Sequence, residues 1–293
     1  MTKPFLKWVG GKRQLLPLLL NNLPSSYNSY YEPFLGGGAL FFSLDHNKDH
    51  NKDNKVYIND LNQELINCYQ VVKDQVNSLK KRLEDHENSK EYYTEIRGWD
   101  RHPNSLSNYD LEELASRFLY LNANCFNAVY RVNKKGEFNV PMGKRSCPIN
   151  WDNVPGLQEA SDFLNNIKNL SITSLDFEEV LKSIEKDDFV YLDPPYDVFE
   201  NKDNKLENKL ENKSKNFTGY TLQGFGRNEQ IRLKEVICSL DRKGAKFMMS
   251  NHDTPFIREA YKDFSFIEVN VQRCIGSKVS SRNLVPELLI KNY

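Results

Sequence analysis

The feature that most constrains the fold of this chain is a short apolar run at residues 189–192 that ends in Asp193-Pro194-Pro195-Tyr196. The run has the length and composition of a buried strand. Proline fixes its own φ and favours an extended residue before it, so Asp193 and Pro194 are held nearly rigid. Ligands of open α/β sheets bind beyond the carboxyl ends of strands. The segment therefore predicts an α/β sheet with a binding site at Asp193.

The groups in this tetrapeptide suit methyl transfer to a planar amine. An exocyclic amino group is a poor nucleophile because its lone pair is delocalised into the ring. The carboxylate of Asp193 and the carbonyl of Pro194 can each accept one N–H, and Tyr196 offers a ring for stacking. These contacts would strengthen as charge develops on the nitrogen. An ordinary turn closing a strand fits the four residues equally well, so both interpretations stay open here.

Two polar stretches of low complexity interrupt the chain, at residues 45–55 and 201–216. Apolar residues make up only 39% of the 293 residues, and these stretches account for part of that deficit. Neither has a pattern that could bury a face, so we expect solvated insertions. With no apolar run of 18 residues and no secretory leader, we also expect a cytoplasmic protein without a membrane segment.

The five cysteines argue against a disulfide framework or a metal site. They are Cys68, Cys125, Cys147, Cys238 and Cys274, and no two of them form a Cys-x-x-Cys pair. An odd number of widely spaced cysteines is typical of reduced thiols. We therefore expect no bound metal.

One local excess of positive charge stands out in a chain whose formal net charge is zero. Residues 131–145 carry five basic side chains and one acidic one, a local charge of 5 − 1 = +4. With apolar residues between the clusters, this segment predicts a basic hairpin that could contact nucleic acid. A solvated hairpin with no partner fits the charge pattern equally well.

A strand at residues 30–34 is predicted to run through Gly36-Gly37-Gly38 into a helix at residues 39–44. Such a glycine turn lets a ligand approach the backbone. A second strand at residues 56–58 ends before Asp60, which lies 60 − 36 = 24 positions after Gly36. That is near the spacing at which an acidic residue binds ribose hydroxyls. Asp60 would serve equally well as the N-cap of the next helix.

The remaining pattern predicts an α/β layered domain in two halves, interrupted by a mainly helical module. Helical periodicity covers one long helix at residues 61–83, then residues 109–123 and 227–240. Further strands are predicted at residues 171–173, 245–250, 267–271 and 286–292.

The N-terminal segment Lys7-Trp8-Val9-Gly10-Gly11-Lys12 is not a phosphate-binding P-loop. Such a loop needs glycine where Leu6 stands and Ser or Thr where Arg13 stands. A tryptophan and a lysine around two glycines better suit a small ligand with a carboxylate, stacked on Trp8 and paired with Lys12.

Taken in order, these segments resemble the DNA adenine methyltransferase (Dam) family, in which the cofactor motif comes first and Asp-Pro-Pro-Tyr last. The resemblance runs from about residue 5 to the C-terminus. Its pieces are FLKWVGGK (5–12), EPFLGGGALF (32–41), YIND (57–60), GEFNVPMGK (136–144), YLDPPY (191–196), NFTGY (216–220) and SNHDT (250–254).

The resemblance implies a Rossmann-like sheet of the S-adenosylmethionine-dependent methyltransferases, with an inserted, mainly helical DNA-recognition domain. It places the catalytic domain at residues 1–62 and 150–293, and the recognition domain at 63–149 with the hairpin at 126–145. It also implies double-stranded DNA as substrate, with GATC as the target. No metal is expected, and the protein should be a monomer in solution.

The resemblance also implies roles for individual residues. Cofactor contacts are implied for Trp8, Lys12, Phe34, Asp60 and Asp193. A flipped-out adenine would rest on Tyr196, with its N6 facing Asp193 and the carbonyl of Pro194. DNA contacts are implied for Lys7, Phe126, Asn127, Val129, Pro141 and Lys144, with Arg145 beside them.

The chain departs from the family pattern at two places. Lys144 stands where an arginine that grips guanine is expected, and lysine lacks the planar fork of arginine. Arg145 could replace that arginine through a small shift of register. The insertion at 201–216 carries five lysines and three acids, and we interpret it as a tolerated expansion with at most weak attraction to phosphate. Ser250, His252 and Asp253 are neighbours on one strand end, so a hydrolase triad is excluded and a structural or DNA-facing role is expected.

Two other functions remain in competition on the sequence alone. An RNA-directed N6 methyltransferase would use the same tetrapeptide and stack unpaired bases. A catalytically silent DNA-binding regulator would have no need of the complete N-terminal and Asp-Pro-Pro-Tyr motifs.

Overall fold

The computed structural model describes residues 2–47, 54–101, 106–144, 156–199, 224–272 and 284–293. Seven strands in this part of the chain form one sheet. They are β1 (Tyr30–Glu32), β2 (Val56–Asn59), β3 (Leu170–Thr173), β4 (Phe189–Leu192), β5 (Lys246–His252), β6 (Ser265–Gln272) and β7 (Leu284–Lys291). Their spatial order is β3-β2-β1-β4-β5-β7-β6. The first five strands pair in parallel, and β7 runs antiparallel to both β5 and β6.

The order of the strands reverses between β1 and β4. The chain moves from β1 outward to β2 and β3, and β4 then pairs with the other side of β1, with Tyr31 opposite Val190. At such a switch point the connections leave the two strand ends in opposite directions, which opens a crevice between them. Residues that follow Glu32 and Leu192 therefore border the same crevice.

Helices cover both faces of the sheet. Those described are α1 (Leu16–Asn21), α2 (Gln63–Asp74), α3 (Val76–Glu84), α4 (Lys90–Arg97), α5 (Leu111–Asn124), α6 (Leu157–Asn166), α7 (Phe177–Leu181), α8 (Arg227–Arg242) and α9 (Pro255–Ala260). Local sequence signals set several helix starts: Asp110 and Glu113 form a capping box at α5, and Thr254 caps α9 ahead of Pro255.

Neighbouring residues of the central strands point to opposite faces, and both faces are buried. Tyr30 and Tyr191 belong to one apolar cluster, whereas Tyr31 and Val190 belong to the other. The first cluster continues into the helices from α2 to α5. These helices therefore share a core with the sheet, and the division into a catalytic and a recognition domain stays a prediction.

Most elements lie within two residues of their predicted positions, but two helix predictions were wrong. The predicted helix at 61–83 is two helices, because Gln75 leaves the helical region at φ −137° and ψ 31°. The predicted helix at 39–44 is only a 3₁₀ turn at Phe41–Ser43. Leu40, Phe41 and Phe42 are all fully buried, and an amphipathic helix cannot bury every consecutive side chain on one face.

The predicted basic hairpin is present as a loosely paired loop as far as Lys144. Antiparallel bridges join Cys125 to Met142 and Val132 to Phe138. The insertion at 201–216, most of the stretch at 45–55 and the segment NFTGY lie outside the described residues, as do Arg145, Cys147 and Cys274.

Candidate active site

A cavity of about 1550 Å³ opens at the carboxyl ends of β1, β2 and β4. It brings together residues that are up to 287 − 4 = 283 positions apart in the sequence, among them the N-terminal segment, the glycine turn, the hairpin and the Asp-Pro-Pro-Tyr loop. Of the predicted site residues, its walls include Lys7, Trp8, Lys12, Phe34, Asp60, Phe126, Asn127, Val129, Lys144, Asp193, Pro194 and Tyr196. Pro141 is not one of the residues that line the cavity.

A buried ion pair joins the first and last motifs of the chain. Lys12 is 8% exposed, and its Nζ lies 2.8 Å from Oδ1 of Asp193. The same ammonium donates to the carbonyl of Gly10 at 2.7 Å. Burial raises the pKa of Asp193 above its usual value, and the charge of Lys12 opposes that rise. Lys12 therefore holds the Asp193 carboxylate in one position at the cavity wall.

The ring of Tyr196 is fixed from three directions. Its hydroxyl donates to Oε2 of Glu287 on β7 at 3.1 Å. The Nζ of Lys12 lies 4.8 Å from the ring centroid, and the ring of His252 meets it edge to face at 4.8 Å. Glu287 was not predicted to be part of the site. The sequence gives no signal for it, because only strand pairing brings β7 next to β5.

A network of buried amides holds the backbone of the Asp-Pro-Pro-Tyr loop. Gln230 on α8 donates from Nε2 to the carbonyl of Pro195 at 2.8 Å. Asn251 accepts from the backbone N–H of Asp197 at 3.0 Å and donates to Oε1 of Gln230 at 3.3 Å. Both amides are at most 1% exposed. Gln230 lies on the same face of α8 as the buried Leu233. A polar residue on a buried helical face indicates a specific hydrogen-bond partner, but the sequence analysis assigned Gln230 no role.

The three residues for which a hydrolase triad was excluded have separate structural contacts. Nδ1 of His252 lies 2.6 Å from the carbonyl oxygen of Asp197. Both carboxylate oxygens of Asp253 pair with Arg258, at 2.5 and 2.7 Å. Ser250 Oγ lies 3.2 Å from the hydroxyl of Tyr191. These contacts agree with the structural alternative of the prediction, and the DNA-facing alternative stays a prediction for His252, which lines the cavity.

The structure adds a buried carboxyl, Glu32, to the inner end of the cavity. Glu32 is the last residue of β1 and is 2% exposed. The hydroxyl of Tyr30 donates to its Oε2 at 2.6 Å. Burial raises the pKa of Glu32 to about 8, with a smaller contribution from the negative charge of Asp193. The sequence analysis treated this glutamate only as part of a motif and assigned it no role.

Asp60 faces the glycine turn across the crevice. Its Oδ2 accepts from the backbone N–H of Gly36 at 2.9 Å, and its Oδ1 accepts from that of Asn62 at 3.0 Å. Burial raises the pKa of Asp60, and these two N–H groups oppose the rise. The alternative that Asp60 caps α2 is wrong, since Asn62 is the N-cap and accepts from Leu65 at 3.2 Å.

Trp8 lies against the glycine turn, which explains why that turn has no side chains. A Cβ added to Gly36 would lie 2.7 Å from Cδ1 of Trp8, and Gly36 has a φ of +49°. The Trp8 ring also stacks on Tyr130 at 5.7 Å and on Phe118 at 6.2 Å.

Phe34 lies farther along the same wall. Its ring contacts Phe177 at 5.4 Å and Phe225 at 5.7 Å. These three rings form an aromatic patch beside the cavity.

The hairpin residues border the outer part of the cavity. Phe126 is 48% exposed, and its backbone N–H donates to the carbonyl of Pro141 at 2.9 Å. Asn127 and Ala128 have φ values of 55° and 52°, which lie in the left-handed region. Lys144 is exposed at the end of the described hairpin.

A reciprocal pair of hydrogen bonds positions Lys7 beside the hairpin. Its backbone N–H donates to Oδ1 of Asn122 at 3.2 Å, and Nδ2 of Asn122 donates back to the Lys7 carbonyl at 2.8 Å. Asn122 lies near the end of α5 and was not predicted to take part. The N-terminal motif is thus fixed to the helix that leads into the hairpin.

A buried arginine, Arg117, connects the two arms of the hairpin with the helices beneath. Its Nη1 lies 2.7 Å from Oε2 of Glu64, and its Nη2 lies 2.7 Å from Oδ2 of Asp100. Glu64 also accepts from the hydroxyl of Tyr130 at 3.1 Å, and Asp100 accepts from the backbone N–H of Phe138 at 2.8 Å. Arg117 is 1% exposed. The sequence pattern assigned this position only to a helix.

Neither a metal site nor a membrane span is found in the described ranges. No group of three or more His, Cys, Asp or Glu side chains there could hold a metal ion. None of the described helices is long and apolar enough to cross a membrane.

Comparison with known proteins places this chain in a family. A family model for D12 class N6 adenine-specific DNA methyltransferases matches residues 8–275. The type II methyltransferase M1.LlaDCHI of Lactococcus lactis subsp. cremoris is 41% identical, over 99% of this chain and 95% of its own length. The type II methyltransferase M.MjaIII of Methanocaldococcus jannaschii is 38% identical, over 99% of both chains. The DNA adenine methylase of Haemophilus influenzae is 31% identical, over 98% of this chain and 92% of its own.

These relatives match nearly the whole length of the chain, so the resemblance to DNA adenine methyltransferases is confirmed. The same matches support methylation of DNA over the two competing functions. The chain belongs to the D12 class of N6 adenine-specific DNA methyltransferases.

Proposed function

We propose that the cavity binds S-adenosylmethionine beside an adenine flipped out of duplex DNA, and that the target sequence is GATC. The observation that carries this proposal is the Lys12–Asp193 ion pair, 2.8 Å long, beside the ring of Tyr196 in one cavity. A single chain contributes all of these groups, so a monomer is expected to be sufficient.

The groups on the inner wall fit a methyl donor of this chemistry. An ammonium has three N–H donors, and Lys12 uses two of them on Gly10 and Asp193, which leaves one for a ligand carboxylate. The carboxylate of Asp60 accepts one N–H on each oxygen and keeps further lone pairs for ribose hydroxyls. The rings of Phe34 and Phe177 offer an apolar surface for a purine. When bound, S-adenosylmethionine supplies an electrophilic methyl group on a sulfonium.

Asp193 and Pro194 would orient the amino group of the target. A carboxylate oxygen of Asp193 and the carbonyl of Pro194 each accept one N–H, so the N6 lone pair stays on nitrogen and forms the new C–N bond. As the C–N bond forms, the electron pair of the breaking C–S bond passes to sulfur, and the cationic N6 then gives up one proton to water. Tyr196, fixed by Glu287 and Lys12, supplies the face on which adenine stacks. Positioning and electrostatic complementarity are the main contributions of the protein.

Residues 63–149 are proposed to recognise the target, with the hairpin as the reading element. Phe126, Asn127 and Val129 would prop the duplex apart or contact bases, and Pro141 would support the hairpin at the backbone of Phe126. Lys7 and Lys144 would contact base edges, and Arg145 remains a candidate beyond the described residues. This interpretation is supported by the position of the hairpin at the outer part of the cavity.

The experiment that tests the proposed chemistry uses Asp193→Ala and the matched Asp193→Asn. Both should reduce methyl transfer by at least 100-fold, because transition-state stabilisation and orientation are lost. Binding of a GATC duplex should change little, since Asp193 contacts one amino group of the flipped adenine and most of the affinity for a duplex comes from contacts with the phosphates. Turnover in Asp193→Ala equal to that of the unmodified protein would refute the role of this carboxylate.

A further inference from the structure

The hairpin departs from regular pairing where it carries the proposed DNA contacts. Backbone bonds join its two arms on either side of this place. The N–H of Phe126 donates to the carbonyl of Pro141 at 2.9 Å, and the N–H of Asn139 donates to that of Arg131 at 3.0 Å. Between these bonds, the four residues 127–130 of one arm stand opposite a single residue of the other. The arm therefore loops outward at this point.

The outward loop is held by weak local contacts. Asn127 and Ala128 have φ values of 55° and 52°, a conformation that costs free energy in residues other than glycine. The N–H groups of Ala128 and Val129 donate to carbonyls three residues back in the chain, at 3.3 Å each. Local bonds of this length restrain a strained segment poorly. The position of residues 127–129 therefore depends on the residues at the two ends of the segment.

Tyr130 is a buried anchor at the inner end of this segment. Its side chain is 6% exposed, and its hydroxyl donates to Oε1 of Glu64 on α2 at 3.1 Å. Glu64 is held in turn by Arg117, whose Nη1 lies 2.7 Å from Oε2. The ring of Tyr130 also contacts that of Phe138 on the other arm, with centroids 5.5 Å apart. These contacts fix Tyr130 to the helices beneath the hairpin.

The same ring supports a wall of the proposed donor site. Tyr130 stacks on Trp8, with centroids 5.7 Å apart and ring planes 23° from parallel. Trp8 and Val129 both line the cavity, whereas Tyr130 is not one of the lining residues. One buried residue is thus joined by a peptide bond to a proposed DNA contact and by its ring to a proposed donor contact.

We propose that Tyr130 is a positioning residue that links reading of the target to binding of the methyl donor, through Val129 on one side and Trp8 on the other. This inference rests on the proposed donor and target. A hairpin seated on its site restrains Tyr130, so the donor meets a Trp8 that is already ordered and loses less entropy on binding. The target duplex should therefore strengthen donor binding, and the donor should strengthen binding of the duplex by the same factor.

Isothermal titration calorimetry with S-adenosylhomocysteine, the product left after transfer, measures this link without turnover. The ligand is titrated into the protein bound to a GATC duplex and into the protein bound to a scrambled duplex. Its affinity should be at least about fivefold higher with the GATC duplex. In Tyr130→Leu this ratio should fall below about twofold, because the ring contact with Trp8 is lost. Tyr130→Phe keeps the ring and should keep the ratio of the unmodified protein.

Tyr93→Leu is the matched control for the loss of a buried ring beneath the hairpin. Tyr93 is 1% exposed, and its hydroxyl donates to the carbonyl of Val140 at 3.0 Å. Its ring lies against that of Tyr120 rather than Trp8, with centroids 6.1 Å apart. Tyr93→Leu should lower the free energy of unfolding and leave the ratio unchanged. If Tyr130→Leu fails to fold, Tyr130→Met replaces it, because methionine fills the space flexibly without a ring.

The outcomes separate the link from the proposals beneath it. Equal affinity for the ligand with both duplexes in the unmodified protein would overturn the link and leave donor and target intact. A ratio that survives in Tyr130→Leu or Tyr130→Met, or that falls equally in Tyr93→Leu, would overturn the role of Tyr130. Failure of the ligand to bind the unmodified protein would overturn the proposed donor, and equal affinity of the two duplexes for the protein would overturn the proposed target; the inference falls with either.

Discussion

Replacing Gly36 by alanine should damage the cofactor site without touching a reacting group. The added Cβ would lie 2.7 Å from Cδ1 and 2.8 Å from Nε1 of Trp8, so the indole must move. Alanine at a φ of +49° costs about 1–2 kcal/mol in addition. Moving the ring off Tyr130 and Phe118 exposes on the order of 50 Å² of apolar surface, which is worth about 1 kcal/mol. The expected loss of unfolding free energy is about 2–3 kcal/mol.

Gly244→Ala is the matched control for backbone strain. Gly244 has a φ of +79°, and its nearest neighbour would be Cγ of the flexible Lys186 side chain at 3.2 Å, away from the cavity. It should lose about 1–2 kcal/mol in urea denaturation and keep its affinity for S-adenosylmethionine. Gly36→Ala should bind the donor at least tenfold more weakly in calorimetry. Unchanged affinity in Gly36→Ala would refute the reasoning that Trp8 and the glycine turn shape the cofactor site.

Three further predictions concern the hairpin, the buried arginine and the effect of pH. Lys144→Ala should relax discrimination at one base by about 1–3 kcal/mol in methylation of single-substitution duplexes, and Lys144→Arg should tighten it; a uniform loss over all sequences would make Lys144 a phosphate contact. Arg117→Leu should cost about 3–5 kcal/mol in urea denaturation, because it removes the nearer of the two cations at the 4% exposed carboxylate of Asp100 and leaves only Arg101 at 3.4 Å; a loss below 1 kcal/mol would refute this. The pKa of Glu32 is higher in the folded protein than in the unfolded chain. Raising the pH from about 4.5 to 8 should therefore lower the free energy of unfolding of the free protein, by up to about 1.4 kcal/mol per pH unit. Glu32→Gln should remove this slope, and parallel stability profiles for the two proteins would contradict it.

The sequence predicted the elements whose signal is local. The strand at Phe189–Leu192 is a continuous apolar run followed by two prolines, and its bounds were predicted correctly. The spacing between Gly36 and Asp60 indicated a ribose-binding carboxylate, and that role stays a prediction. The parallel pairing of β1 and β2 brings Asp60 to the glycine turn, where it accepts from the backbone N–H of Gly36.

The errors arose where tertiary packing decides the structure. The apolar segment after the glycine turn resembles a helix, but Phe41 and Phe42 pack in a tight turn beneath the sheet. Glu287, Gln230 and Asn251 support the tetrapeptide from elements that only the sheet order brings near. The sequence could not show that Glu32 is buried. A strand of three residues is too short for the alternation of polar and apolar side chains to distinguish a buried carboxyl from an exposed one.

The most direct test of the account is to map the methyl group on a duplex with a single GATC site. Tritiated S-adenosylmethionine is incubated with this duplex, with one in which the site is scrambled, and with a structured RNA. The nucleosides are then separated and identified. The account predicts label in N6-methyladenine from the GATC duplex alone. Equal label in the scrambled duplex would contradict the proposed target, and label confined to RNA or to another base would contradict the central claim.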